Sequence, residues 1–215
     1  MNIRLLFIVS WWLAMWLLRA TLERDMAVHM TVQVPMLIGL GLLLAAVVRP
    51  YELRWLAEAD WLGIPGIVAV VFGTSFWMLP RALDEAVADP FFDMVKFLSL
   101  PLLVGLPLGL SWRRMPSLGR AFIWANFIPK IAAIGGLYLM APTRLCAYYR
   151  LDQQAVAGWT LILVAVALGT LWFVAAFIGW PPYERKQGSP PYSSSRRRPV
   201  RITAGRGHPS RCRER

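Results

Sequence analysis

Histidine and cysteine are scarce in this chain. Its 215 residues include two of each: His29 and His208, Cys146 and Cys212. With His29 alone in the body, a centre built from several imidazoles is excluded. The cysteines lack the close C-x-x-C spacing of a thiolate metal site. Alternating topology puts them on opposite sides of a membrane, so we expect no disulfide. Charge is also sparse, at 16% of residues. There is no phosphate loop, G-x-G-x-x-G, H-E-x-x-H or nucleophile elbow. Ser75 and Ser111 have no histidine within reach. These absences point away from an enzyme.

Apolar residue is what the chain has in abundance, at 57% with a mean hydropathy of +0.50. It falls in blocks of about 20 residues, long enough to cross a bilayer. The expected fold is all-α, a polytopic transmembrane helical bundle of about six spans. We place them at Leu5–Leu18, Val28–Val48, Trp61–Leu79, Phe91–Trp112, Ala121–Ala141 and Val156–Trp180. The first run suits a signal peptide in length, but Leu18–Arg19–Ala20 is a poor cleavage site, and we expect it to be retained. Pro101, Pro107 and Pro129 should kink their helices.

The net charge of +11 belongs mainly to the end of the chain, since Glu184–Arg215 carries a net +8. Residues 183–215, rich in Pro, Ser, Gly and Arg, read as a disordered basic tail that contacts anionic lipid. Nucleic acid is not an expected partner. Residues 1–182 form the transmembrane domain. With six spans, sixteen Lys/Arg fall on the side of both termini and five on the other. By the positive-inside rule both termini are cytoplasmic. The expected location is the inner (plasma) membrane.

That topology gathers three segments at the opposite, extracytoplasmic face: Asp25–Met30, Trp77–Asp89 and Arg144–Gln154. Met26, His29 and Met30 share one helix face, with Met78 at the end of the next span. Thioether and imidazole suit Cu(I). The same residues also suit plain apolar packing and a single interfacial hydrogen bond. Asp93 and Lys96 are three apart on span four, and Lys130 lies inside span five. Intramembrane charges mark function or demand partners. With few titratable groups in the spans, a polar clamp between helices is preferred to a proton path. Lys96 is near enough to the interface to snorkel, and Asn126, Asp93 or a kink carbonyl near Pro129 would serve Lys130.

Three stretches resemble a known family. Trp77, Pro80, Asp84, Ala86, Asp89 and Pro90 are similar to the third-to-fourth helix connection of the CtaG-type cytochrome c oxidase assembly factors. His29 and Met30, followed by an apolar run with proline, resemble its second-helix signature. Asp152, Gln153 and Gly158 resemble the entry to a later helix. The chain departs from the pattern where ligands are expected, with Met78, Asp93, Phe97 and Gln33 at histidine positions and Lys96 at a glutamate position. The resemblance implies an integral membrane assembly or accessory factor for a heme-copper oxidase, with copper handled outside the membrane. The candidate ligands, read from the residues themselves, are His29, Met26, Met30 and Met78. Asp84, Asp89 and Asp152 would be structural or docking residues, and Asp93, Lys96 and Lys130 internal clamps. The expected partners are membrane lipids and a respiratory oxidase or other membrane redox complex. The alternative is a non-catalytic structural subunit that reuses the scaffold. A small-solute transporter is a third class.

Overall fold

A computed structural model describes residues 3–48 and 62–178. The basic tail at 183–215, Cys212, most of the loop after span two and Trp61 lie outside the described residues. The described residues form helices joined by short turns and loops, with no strand among them. We number the helices α1 (Ile3–Leu17), α2 (Arg19–Leu22), α3 (Met26–Val47), α4 (Ile64–Trp77), α5 (Pro80–Ala88), α6 (Pro90–Ser111), α7 (Ser117–Met140) and α8 (Leu151–Phe177).

Helix starts follow local chemistry. The Asp25 carboxylate accepts from the Ala27 and Val28 amides and opens α3, and Asp89 accepts from Phe91 N–H and opens α6. Pro80 and Pro90 occupy first helical positions, where a missing N–H costs nothing. Two π-helical turns interrupt the long rods. Leu100–Gly105 contains Pro101, whose missing N–H frees a carbonyl that the wider turn accommodates. His29–Gln33 contains no proline and lies in the polar cluster described below.

Four helices, α3, α6, α7 and α8, are long and apolar enough to cross a membrane. A fifth crossing exists if α4 and α5, bent by 69°, count as one broken span. α1 has 15 residues and α4 has 14. At 1.5 Å per residue each rises little more than about 20 Å, short of the roughly 30 Å hydrocarbon core. The difference from the expected six lies in these two elements.

Packing uses small residues, as expected where lipid removes the hydrophobic drive between helices. A Cβ on Gly41 would fall on the Pro101 carbonyl and 2.7 Å from the Gly105 Cα, so α3 and α6 meet backbone to backbone. A Cβ on Gly135 would lie 2.8 Å from the Gly158 carbonyl oxygen, setting the α7–α8 contact. Leu37, Phe97, Leu100 and Ala157 are fully enclosed, while Phe72, Leu163 and Leu171 lie outward on α4 and α8. Such large exposed apolar side chains fit a lipid-facing surface.

A buried ion-pair cluster as the candidate functional site

The end of the bundle where α2 meets α3 and α6 begins is polar inside. Glu23 closes α2 and is almost wholly buried. The π-helical turn after it presents His29 and Gln33, both with 0% exposure. From α6, Asp93 and Lys96 enter the same space, and Lys96 is also at 0%. The loop before α8 brings Tyr149. It is held there by Asp84, whose two oxygens accept from the Ala147 and Tyr148 amides at 2.9 Å each. The Gln154 side chain bridges Leu145 N–H and the Tyr138 carbonyl, and Gln153 donates to the Arg24 carbonyl.

Lys96 Nζ lies 2.6 Å from Glu23 Oε1 and 3.0 Å from Asp93 Oδ1. Arg19 Nη1 reaches the other Asp93 oxygen at 3.2 Å. Two cations therefore face two carboxylates, and the cluster is neutral. Unpaired, each of these charges would be costly at such burial. Gln33 Nε2 adds a donor to Glu23 Oε1 at 2.9 Å.

The hydrogen bonds also assign the histidine tautomer. Tyr149 donates its only hydroxyl proton to the Glu23 carbonyl at 2.9 Å. Its oxygen then accepts from His29 Nδ1–H at 2.8 Å. Nε2 is left as the acceptor facing Lys96 Nζ at 3.4 Å. Burial first, and then the Glu23 carboxylate, push the Tyr149 phenol above its ordinary value, which keeps it a donor. The result is a polar clamp joining α2, α3, α6 and the loop before α8. A polar recess of about 360 Å³, walled in part by Arg19, Glu23, Asp93, Tyr148 and Tyr149, opens onto it.

The three segments expected to gather at one face do so. Asp93 and Lys96 pair as expected, although Lys96 is enclosed and does not snorkel. Asp84 pins the loop and Asp89 caps α6. Asp152, mostly exposed, pairs with Arg150 at 3.1 Å. Lys130 finds none of the expected partners. It donates across to α4, to Val71 O (3.3 Å), Thr74 Oγ1 (3.2 Å) and Ser75 Oγ (2.9 Å).

The four proposed copper ligands separate. Met30 and Met78 line one apolar cavity, while His29 sits in the ion cluster and Met26 is buried in the core. Both His29 nitrogens are engaged, and Nε2 faces an ammonium that would repel a copper ion. The residues present do not fit a Cu(I) site centred on His29. Among the described residues no group of three His, Cys, Asp or Glu is arranged to hold a metal.

Arg19, Glu23, Gln33 and Tyr149 escaped sequence reasoning as cluster members. Two signals were available. Arg19 and Glu23 are four apart at the end of an apolar run, and Gln33 lies one turn beyond His29. The Tyr149 contact carried no local signal, because it bridges to residues more than a hundred positions away.

Comparisons with protein-family models, with curated proteins and with solved structures give no match.

Proposed function

We propose that this chain is an integral membrane accessory factor that supports assembly of a respiratory heme-copper oxidase. It acts at the extracytoplasmic face of the inner membrane through protein contact. In this reading α1 and the bent α4–α5 unit complete six crossings, and both termini are cytoplasmic. The supporting observation is convergence. The three stretches that resemble the CtaG-type family meet at one end of the bundle, joined by Asp84 to the Tyr148 amide, His29 to Tyr149 and Gln153 to the Arg24 carbonyl. A resemblance confined to scattered sequence would give no reason for them to touch.

Copper plays no step in this proposal, since His29 serves the clamp. The alternative, a permanent non-catalytic subunit, is favoured by the same saturated histidine, because a closed ion cluster suits a fixed structural part. Mild detergent purification of wild type, His29→Ala and Met30→Ala, with copper and copurifying proteins measured together, tests both. Oxidase subunits in substoichiometric amounts are expected, with oxidase assembly impaired when the chain is deleted. Fixed stoichiometry selects the subunit. Near-stoichiometric Cu(I) that vanishes in the variants would restore copper handling. Normal oxidase assembly without the chain, and no oxidase subunit copurifying, overturns the proposal.

A further inference from the structure

The polar recess that opens onto the ion cluster holds about 360 Å³, at the small end of the roughly 300–1,000 Å³ range of small-molecule sites. Separate stretches of chain meet around it. α2 brings Arg19 and Glu23, the turn after it Arg24, the α5–α6 junction Asp89 and Asp93, and the loop before α8 Tyr149. Glu23, Asp93 and Tyr149 are each more than nine-tenths buried.

Three polar groups in this wall have capacity left. Glu23 Oε1 takes both Lys96 and Gln33, and Oε2 takes no partner among the described residues. Asp89 Oδ1 accepts from Phe91 N–H, and Oδ2 likewise takes none. Arg24 is exposed, and its guanidinium pairs with no carboxylate among the described residues. The charges are also separated. Apart from Arg24, three carboxylates (Glu23, Asp89, Asp93) face two cations (Arg19, Lys96), which leaves one negative charge. Arg24 supplies one positive charge at the exposed side. The recess is therefore neutral as a whole, with unused acceptors within and an unused donor outside.

Its flanks are apolar. Leu17 and Leu18 precede Arg19 where α1 runs up to the recess, and Phe91 follows Pro90 where α6 leaves it. All three side chains are exposed. Large apolar side chains beside a polar pocket, at the end of a membrane-crossing helix, fit contact with acyl chains.

We propose that the recess binds the headgroup of a zwitterionic phospholipid that carries a primary ammonium, as phosphatidylethanolamine does. The phosphate lies on Arg24, whose guanidinium fork suits it. The ammonium donates to the unused Glu23 and Asp89 oxygens, and the acyl chains lie along Leu17, Leu18 and Phe91. A headgroup of zero net charge keeps the recess neutral. An anionic headgroup would leave the inner carboxylates uncompensated, and a trimethylammonium has no N–H to donate. The site needs no oxidase, so it stands or falls apart from the respiratory role.

The test is phospholipid retention by the full-length protein. Wild type is reconstituted in nanodiscs of phosphatidylethanolamine, phosphatidylcholine and phosphatidylglycerol in equal parts, with identical acyl chains. It is re-extracted in mild detergent, and the bound lipid is identified by mass spectrometry. About one phosphatidylethanolamine per protein is expected, preferred over phosphatidylcholine by about tenfold, the effect of a charged hydrogen bond that the methylated headgroup cannot make. Arg24→Gln should weaken retention of both lipids by about fivefold, the effect of one basic residue near a phosphate, and leave the preference between them. Asp89→Asn keeps a side-chain oxygen to cap α6 and should lose part of the preference. Soluble phosphoethanolamine, titrated against the extracted protein, should compete weakly because it has no acyl chains. The proposal is overturned if wild type retains the three lipids equally or favours phosphatidylglycerol, an arm that needs no variant to fold. Unchanged retention in Arg24→Gln, or unchanged preference in Asp89→Asn, also overturns it. Soluble phosphoethanolamine binding as tightly as the lipid would assign the recess to a soluble ligand instead.

Discussion

Two lysines lie inside apolar helices of this bundle, and their surroundings differ. Lys96, in the α2–α3–α6 cluster, has no exposure and meets two carboxylates and a histidine nitrogen. Lys130, at the α4–α7 seam, is half-buried and meets only neutral oxygens, one carbonyl and two hydroxyls. The difference follows from enclosure. Where helices surround an ammonium completely, only opposite charge offsets its desolvation. At a partly open seam, three oxygens on one helix face suffice to hold the donors. Thr74 and Ser75 are suited to this, because each hydroxyl donates back to the carbonyl four residues earlier and turns lone pairs toward Lys130.

The most direct way to break the comparison is Lys96→Met. It leaves the Glu23 and Asp93 carboxylates buried beside each other with only Arg19 as a countercharge, and should destabilise the fold by about 3–5 kcal/mol. The measurement is the thermal unfolding midpoint in detergent. Adding Glu23→Gln should recover part of the loss, because it removes one of the stranded charges. A double variant no more stable than the single would mean that the pair is not the source of the cost. Tyr149→Phe is next. It removes the donor to the Glu23 carbonyl and the acceptor for His29 Nδ1–H, at about 1–3 kcal/mol, while the ion pairs stay. Asp84→Ala should cost less in global stability and act locally, by releasing the loop that carries Tyr149. Cys146 reports on that release. It is fully buried, and its thiol is pushed up to about 11 by burial and then by the Asp84 charge. In a Cys212→Ser background, maleimide should label it slowly near neutral pH and faster as pH rises toward that value, because only the thiolate reacts. Asp84→Ala should speed labelling at every pH, by opening the loop and by removing a charge that disfavours the thiolate.

These two regions were not equally readable from sequence. The helices and the end at which chemistry gathers follow from apolar run length and alternation, and Asp93–Lys96 follows from spacing within one helix. Helix bounds shift by only a few residues where a cap decides them, as at Asp25 and Asp89. The partners of both lysines were harder. Glu23 and Tyr149 reach Lys96 and His29 across distances in sequence that no periodic pattern encodes. For Lys130 two of the expected partners, Asn126 and a carbonyl near Pro129, were close in sequence, yet helix packing turns the side chain to α4. The apolar cavity was also unreadable, since a void is the difference between neighbouring helix surfaces, a property of no single stretch. Met30 and His29 are adjacent in sequence and share a helix in the expected way, but the π-helical turn leaves one in the cavity wall and the other in the ion cluster.

The smallest expected effect is the sharpest test of the comparison. Lys130→Met removes three hydrogen bonds from a charged donor: the 2.9 Å bond to Ser75 falls in the range of about 1.5–3 kcal/mol for a charged group, and the two longer ones add less. It also removes an ammonium from the apolar interior, whose insertion cost is about 2.5–3.5 kcal/mol. Thr74 and Ser75 keep their own bonds to Val70 and Val71, so no buried hydroxyl is stranded. The gain and the loss are of similar size, and the net change should stay within about 1 kcal/mol, against the several expected for Lys96→Met. Unfolding midpoints measured side by side in one detergent decide it. If Lys130→Met proves as damaging as Lys96→Met, then the neutral oxygens of α4 hold a charge as firmly as carboxylates do, and enclosure is not what separates the two sites.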